Sequence, residues 1–265
     1  TSWTWEPAWG ARRKPIVSSN LRFFALVASF LLAGCATYRT PGGPVSIPEF
    51  TNSGVAEALA RKPAATFPAR LIVTRVQASG YESYSNRGYG AGRYSVVTTR
   101  DVETGADLAR LGKMPGVAAV GALNRLLLPG NLASAMDLRT GGAQLHGDIL
   151  LLYTFDTSFR TDTTRIGPLQ LVSLGFFPNK KAVVTSTCSA AFIDVRTGYV
   201  YGVAEATAKE EQRSDLWSTR EVLENARLHA ERDAFGSLLD ELTKSWASIY
   251  AEYAGQDIPL GDERP

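Results

Sequence analysis

Apolar and polar positions divide the chain into three kinds of segment. Residues 23–33 form an apolar run of 11 with Ser29 as its one hydroxyl residue. Residues 36–70 carry Pro41, Pro44, Pro48, Pro63 and Pro68 and show periodicity only over 55–61, a short helix. From 70 to 255, short apolar runs alternate with stretches of helical spacing, which predicts a single α/β domain. Strands are expected over 71–77 and 94–100, then a helix over 104–113 stopped by Pro115. A strand over 117–128 ends at Pro129-Gly130, and a helix follows over 132–145. The nearly continuous apolar run 149–157 suits a central strand with both faces covered. Another strand is expected over 169–177. Residues 182–195 and 199–208 flank Arg196-Thr197-Gly198, a β-hairpin whose glycine supplies the positive φ of a tight turn. The last helix opens at Ser218 with Glu221 three residues on, a capping box. Its apolar stripe is Phe235, Leu238, Leu239, Leu242, Trp246, Ile249, Tyr250 and Tyr253. Residues 256–265 are a tail.

The apolar run at 23–33 follows Arg22 and the cluster Arg12, Arg13 and Lys14, the charge order of a secretory signal. Eleven residues at about 1.5 Å each cover roughly half of a hydrocarbon core, too little for a permanent span. The run ends in Leu32-Ala33-Gly34-Cys35, which resembles the lipobox of bacterial lipoproteins. The resemblance implies cleavage between Gly34 and Cys35, lipid on the Cys35 thiol, and a membrane partner reached through that lipid. Ala36 after the cysteine fits delivery to the outer membrane, facing the periplasm. The expected organisation is therefore a signal peptide over 1–34, a proline- and glycine-rich tether over 35–69, and the domain. No methionine precedes Met114, so residues 1–16 are read as upstream translation, with a non-standard start codon at Val17.

Processing changes the charge. The chain has 28 basic and 26 acidic side chains, and four of the former but only Glu6 of the latter precede Cys35. The remainder sits near −1, which argues against a nucleic-acid partner held by bulk charge. Of the two cysteines, Cys188 alternates onto one strand face with Val184, Ala190 and Phe192 and reads as a small core residue. With Cys35 lipidated, it has no partner in its own chain.

Two short motifs carry a second resemblance. Gly147-Asp148-Ile149-Leu150-Leu151-Leu152 is similar to the "Ala-Asp" start of a central strand, and Asp194-Val195-Arg196-Thr197-Gly198-Tyr199 to an "Asp-x-x-Thr-Gly" hairpin turn. Both belong to a family of envelope domains that includes the curli secretion-channel lipoprotein, lipoprotein activators of penicillin-binding proteins and the amino-terminal domain of the Tol-system β-propeller protein. The resemblance implies an anticodon-binding-like mixed sheet over about 70–250, a partner-binding role, and oligomeric assembly as one possible form. Pore-forming members add lipid-facing hairpins. The insertions here, 80–92 and 158–166, are polar and glycine- or threonine-rich, which disfavours a pore.

Candidate chemistry is sparse. His146 and His229 fall on predicted helical segments without a ligand at metal spacing, and neither a nucleophile elbow nor a phosphate-binding loop is present. Gly88-Tyr89-Gly90-Ala91-Gly92 leads into a strand rather than a helix, the wrong context for a phosphate cradle. No cofactor or metal is expected. Asp156 and Asp162 read as polar loop residues after the central strand; as paired acids they are the basis of an alternative, an envelope hydrolase. Tyr81, Tyr84, Tyr89 and Tyr94 with Arg87 and Arg93 form a tract suited to stacking on a sugar or a protein partner, since tyrosine offers contact area at low entropy cost. The expectation is a non-enzymatic outer-membrane lipoprotein binding an envelope partner, a protein or peptidoglycan-associated. A second expectation is a subunit of an oligomeric secretion or assembly complex.

Overall fold

The computed structural model describes residues 43–46, 54–163, 180–213 and 220–255. Its organising strand is β1 (Ala69–Ala78), buried along nearly its whole length because it has neighbours on both edges and a layer on each face. Short β2 (Ala91–Gly92) and β3 (Tyr94–Val97) follow, and β3 returns antiparallel along β1. Helix α2 (Gly105–Leu111) then crosses to β4 (Val117–Ala122), parallel to β1, and α3 (Ala135–Gln144) crosses to β6 (Ile149–Thr163), parallel to the other edge of β1. Between them lies the two-residue β5 (Asn131–Leu132), paired with β2. Strands β6, β7 (Lys180–Asp194) and β8 (Val200–Arg213) form an antiparallel run. The six-stranded sheet has the order β3-β1-β6-β7-β8, with β4 also beside β1. Helix α4 (Arg220–Tyr253) is 34 residues long and closes one face, while a six-residue α1 (Val55–Ala60) precedes β1. The chain is thus the mixed-sheet α/β domain with a long C-terminal helix that the hydrophobic pattern predicts.

Each face of the sheet carries its own core. Against α4 lie Leu71, Val73, Leu151, Phe155, Cys188 and Phe192, meeting Phe235, Leu238, Leu242 and Trp246. The opposite face buries Ile72, Val76, Leu150, Leu152, Ala191 and Ile193 under Leu132, Ala135 and Leu138. Cys188 is a free, fully buried thiol. Trp246 anchors the helix, its Nε1 donating to the Pro115 carbonyl at 2.8 Å while its ring tilts against Phe67 and Phe192. No described helix is long and apolar enough to cross a membrane.

Several elements differ in length from expectation, for local reasons. β4 stops at Ala122 instead of running to 128. Beyond Val73, the edge of β1 is taken by β3, so β4 has nothing more to pair with. Asn124 instead caps a 3-10 turn, Arg125–Leu127. Helix α3 starts at Ala135, because Ser134 and Asp137 form a reciprocal capping box there and Leu132 belongs to β5. β6 runs on to Thr163, and β7 and β8 extend to Lys180 and Arg213. The ends of β6 and β8 beyond 157 and 208 are too polar to show a strand pattern, yet β7 pairs on both edges and holds them. Asp156 and Asp162 therefore lie within a strand, not in a loop.

The segment expected as a tether is tied to the domain before residue 70. Gly43 accepts a hydrogen bond from the Ala78 amide at 3.0 Å, and Val45 packs on the α3 face of the sheet. Ala64 and Ala65 donate to Asp194, and the Phe67 ring meets Trp246 and Tyr250. Cys35 and the lipobox, the strand expected over 169–177, the Ser218 cap and the tail all lie outside the described residues.

Candidate functional site

The glycine and tyrosine tract does not form one aromatic surface. It folds back on itself through bridges between Glu82 and Arg87 and between Tyr89 and Val96, and this turns two of its four tyrosines inward. Tyr94 is fully buried, its hydroxyl donating to the Ser134 carbonyl at 2.8 Å. Tyr81 is 1% exposed, and its hydroxyl accepts from Arg75 and Arg227. Neither can stack on a ligand, which corrects that expectation for both. Tyr89 is half-buried, with its ring beneath Arg125 and its hydroxyl on the Leu128 carbonyl. Tyr84, Arg87 and Arg93 remain exposed.

Tyr81 belongs to a charge cluster that sequence reading missed. Arg75 from β1 and Arg227 from α4, both fully buried, face Asp101, Glu224 and Glu231. Arg75 also lies over the Phe155 ring at 4.6 Å. Ser85 donates to Glu224 at 2.6 Å and Thr157 to Glu231 at 3.0 Å. Nearby, the Tyr153 hydroxyl donates to the buried Glu103. Burial alone depresses both guanidinium pKa values, but the surrounding acids, Glu231 and Glu224 foremost, push them above the ordinary arginine value. Burial likewise raises the Cys188 thiol well above its usual range, so it is protonated and unreactive in the native state. The signal for this cluster was in the helix spacing. Arg227 and Glu231 continue the stripe of Phe235, Leu238 and Leu242 by one and two turns, so charges stand where core residues belong.

A second convergence surrounds the β7–β8 turn. The buried Asp194 carboxylate accepts from the amides of Ala64 and Ala65 and the Tyr201 hydroxyl on one oxygen, and from the amides of Arg196 and Thr197 on the other. Gly198 has φ of +74°, and a Cβ there would stand 3.0 Å from Arg139 Nη1 and 3.5 Å from Arg61 Nη1. Arg139 donates to the carbonyls of Val195 and Arg196, and Arg61 to that of Gly198 and to Glu57. Burial and the neighbouring Arg61 lower the Arg139 pKa. A cavity of about 430 Å³ opens here, lined by these arginines, Glu57, Ser134 and Thr197 among others. The "Asp-x-x-Thr-Gly" residues thus build a turn and tie the preceding segment to it. Likewise, Asp148 accepts from the Arg70 amide, and a Cβ at Gly147 would stand 2.2 Å from Ile72 Cγ1.

The residues weighed for catalysis are not brought together. His146 is exposed with φ of 55° just after α3, and His229 is exposed on α4. Asp156 and Asp162 are six positions apart on β6, about 20 Å at 3.3 Å per residue. Paired acids act across about 5–10 Å. Among the described residues no three His, Cys, Asp or Glu side chains are grouped as metal ligands.

No family model and no curated protein matches the sequence. Among solved structures, the lipoprotein GNA1162 from Neisseria meningitidis is similar over 61% of this chain and 96% of its own, at 12% identity and a TM-score of 0.28. The PelC dodecamer from Paraburkholderia phytofirmans is similar over 68% of this chain and 92% of its own, at 15% identity and a TM-score of 0.29. A protein from Xanthomonas campestris is similar over 71% and 93%, at 11% identity and a TM-score of 0.30. Likenesses this distant assign neither an activity nor an assembly to the chain.

Proposed function

We propose that this chain is a lipid-anchored protein of the bacterial envelope whose α/β domain works by binding another envelope component, not by catalysis. The observation that carries the reading is Leu32-Ala33-Gly34-Cys35 directly behind an 11-residue apolar run. The fold adds a distance. Gly43, eight residues after Cys35, is hydrogen-bonded to Ala78, so a lipid on Cys35 sits within about 28 Å of the sheet at 3.5 Å per residue. The domain would stand close to the membrane surface. Binding is favoured over chemistry because the buried acids Glu224 and Glu231 are engaged by Arg227, and a catalytic acid needs to reach a substrate. Ala36 supports the outer membrane as the destination. Exposed Tyr84, Arg87 and Arg93 are the part of the tyrosine tract left for a partner.

The test is labelling of the full chain with an alkyne analogue of palmitate in a diderm host. The wild type is expected to take up label and sediment with outer membranes, and Cys35→Ala to lose both. A photo-crosslinking residue at position 84 or 87 is then expected to give a discrete adduct in envelopes. Undiminished labelling or sedimentation of Cys35→Ala would overturn the anchor, and the absence of any adduct would count against this binding surface.

A further inference from the structure

β8 ends the sheet. Among the described residues, its hydrogen-bonded neighbour is β7 alone. Its 14 residues carry no proline and leave an edge of roughly 46 Å at 3.3 Å per residue. Edges of this length are normally blunted, because unpaired amides and carbonyls recruit another strand. Charged side chains commonly do the blunting, and β8 carries several. Their order along the strand, however, is complementary to itself.

On the face away from α4, the outward residues of β8 are Val203, Glu205, Thr207, Lys209 and Glu211. We propose that β8 pairs antiparallel with β8 of a second copy of this chain, with the two-fold axis passing at Thr207. In that register each Glu205 stands opposite the other copy's Lys209, and Thr207 stands opposite its own counterpart. Val203, an apolar side chain left 63% exposed, packs across the seam from position 211. On the α4 side Ala206 meets Ala208, so the side chains next to the axis on that face are small.

Other registers are worse, because facing residues must share a face of the sheet. An axis at Glu205 or Lys209 sets like charges against each other. An axis at Ala206 leaves both charges opposite uncharged residues, and one at Ala208 sets Glu205 against Glu211. An axis at Glu210 does pair Lys209 with Glu211, but it sets Glu210 against itself. A two-fold contact is self-complementary by construction, so the pattern selects a dimer with one continuous sheet.

The inference does not depend on lipid at Cys35. Its test therefore removes that thiol and uses the full chain in whole cells, carrying Cys35→Ala and Thr207→Cys and mildly oxidised. At the axis the two Cα atoms stand about 4.5–5.5 Å apart, within the range a disulfide spans. A band of twice the chain mass is expected on non-reducing gels, and none from the Cys35→Ala parent, whose remaining Cys188 is buried. In that background Glu205→Lys alone or Lys209→Glu alone is expected to cut the cross-link yield at least about tenfold, since each creates two like-charge pairs. The two together restore the opposite pairing, and with it a yield within about twofold of the starting one. Circular dichroism checks that each variant folds. No cross-link from Thr207→Cys would overturn the proposal. So would full yield from either single variant, or a double variant that stays uncoupled.

Discussion

At the scale of single residues, the two motifs that resemble an envelope family turn out to have local physical reasons. Asp194 is a buried anion surrounded by five donors, and charge-assisted bonds of this kind hold the turn and the approach to β1 together. Asp194→Asn keeps the shape but turns an amide donor toward groups that already donate. The expected cost is about 3 kcal/mol in chemical denaturation. Burial, then the bond to Asp194, raises the Tyr201 pKa above the usual tyrosine value, which keeps the proton on the hydroxyl that donates to that carboxylate. Gly147 is needed for another reason. A methyl group there would collide with Ile72 in the core, so Gly147→Ala is expected to lose about 1–3 kcal/mol. Gly130→Ala, with open space around its Cβ, is the matched control and is expected to change little. Sequence alone marked one motif as the start of a central strand and the other as a turn, but could not show that Asp194 reaches residues about 130 positions away.

At the scale of elements, the apolar stripes were legible and the polar extensions were not. The core residues of α4 stand where helical spacing places them, and the central strand and hairpin are found. What escaped is whatever depends on a neighbour, such as the polar ends of β6 and β8 beyond 157 and 208, and the inward turn of Tyr81 and Tyr94. The first turns of α4 show the same limit. Arg227 and Glu231 fall on the core stripe, but helix spacing does not name their partner, Arg75, which the opposing strand brings to them. This part of the helix should respond to acid. Burial opposes ionisation of Glu224, but hydrogen bonds from Arg227 and Ser85 outweigh it and hold its pKa below the ordinary 4.5. A carboxylate depressed on folding adds stability above the unfolded value and loses it as pH falls through the folded one. Glu224→Gln is therefore expected to be less stable than the wild type by about 1–2 kcal/mol at pH 7. In urea unfolding from pH 7 to pH 3, that gap should narrow once pH drops below about 4.5.

At the scale of the whole molecule, residues 43–46 determine how the domain relates to its proposed anchor. Val45 lies over Leu152 and Ala191, and the Gly43 carbonyl takes the Ala78 amide. With both contacts made, the leash from Cys35 is eight residues, about 28 Å. With both lost, the next tie among the described residues is Arg61 on the Gly198 carbonyl, and the reach grows to roughly 90 Å by the same arithmetic. If the proposed anchor at Cys35 holds, a weak docking of one valine would separate a domain held at the membrane from one able to reach further from it. Burying even half a valine contributes about 1 kcal/mol, and an aspartate there adds a desolvation cost. Val45→Asp should undock the segment while leaving the two cores intact. Hydrogen exchange of the full chain provides the measurement. The Ala78 amide is expected to exchange at least about tenfold faster in the variant, as a loss of 1.4 kcal/mol implies, whereas the Leu152 amide, deep in the sheet, should not change. Equal acceleration at both would mean that the segment stabilises the whole domain, and the leash would then have no independent short state.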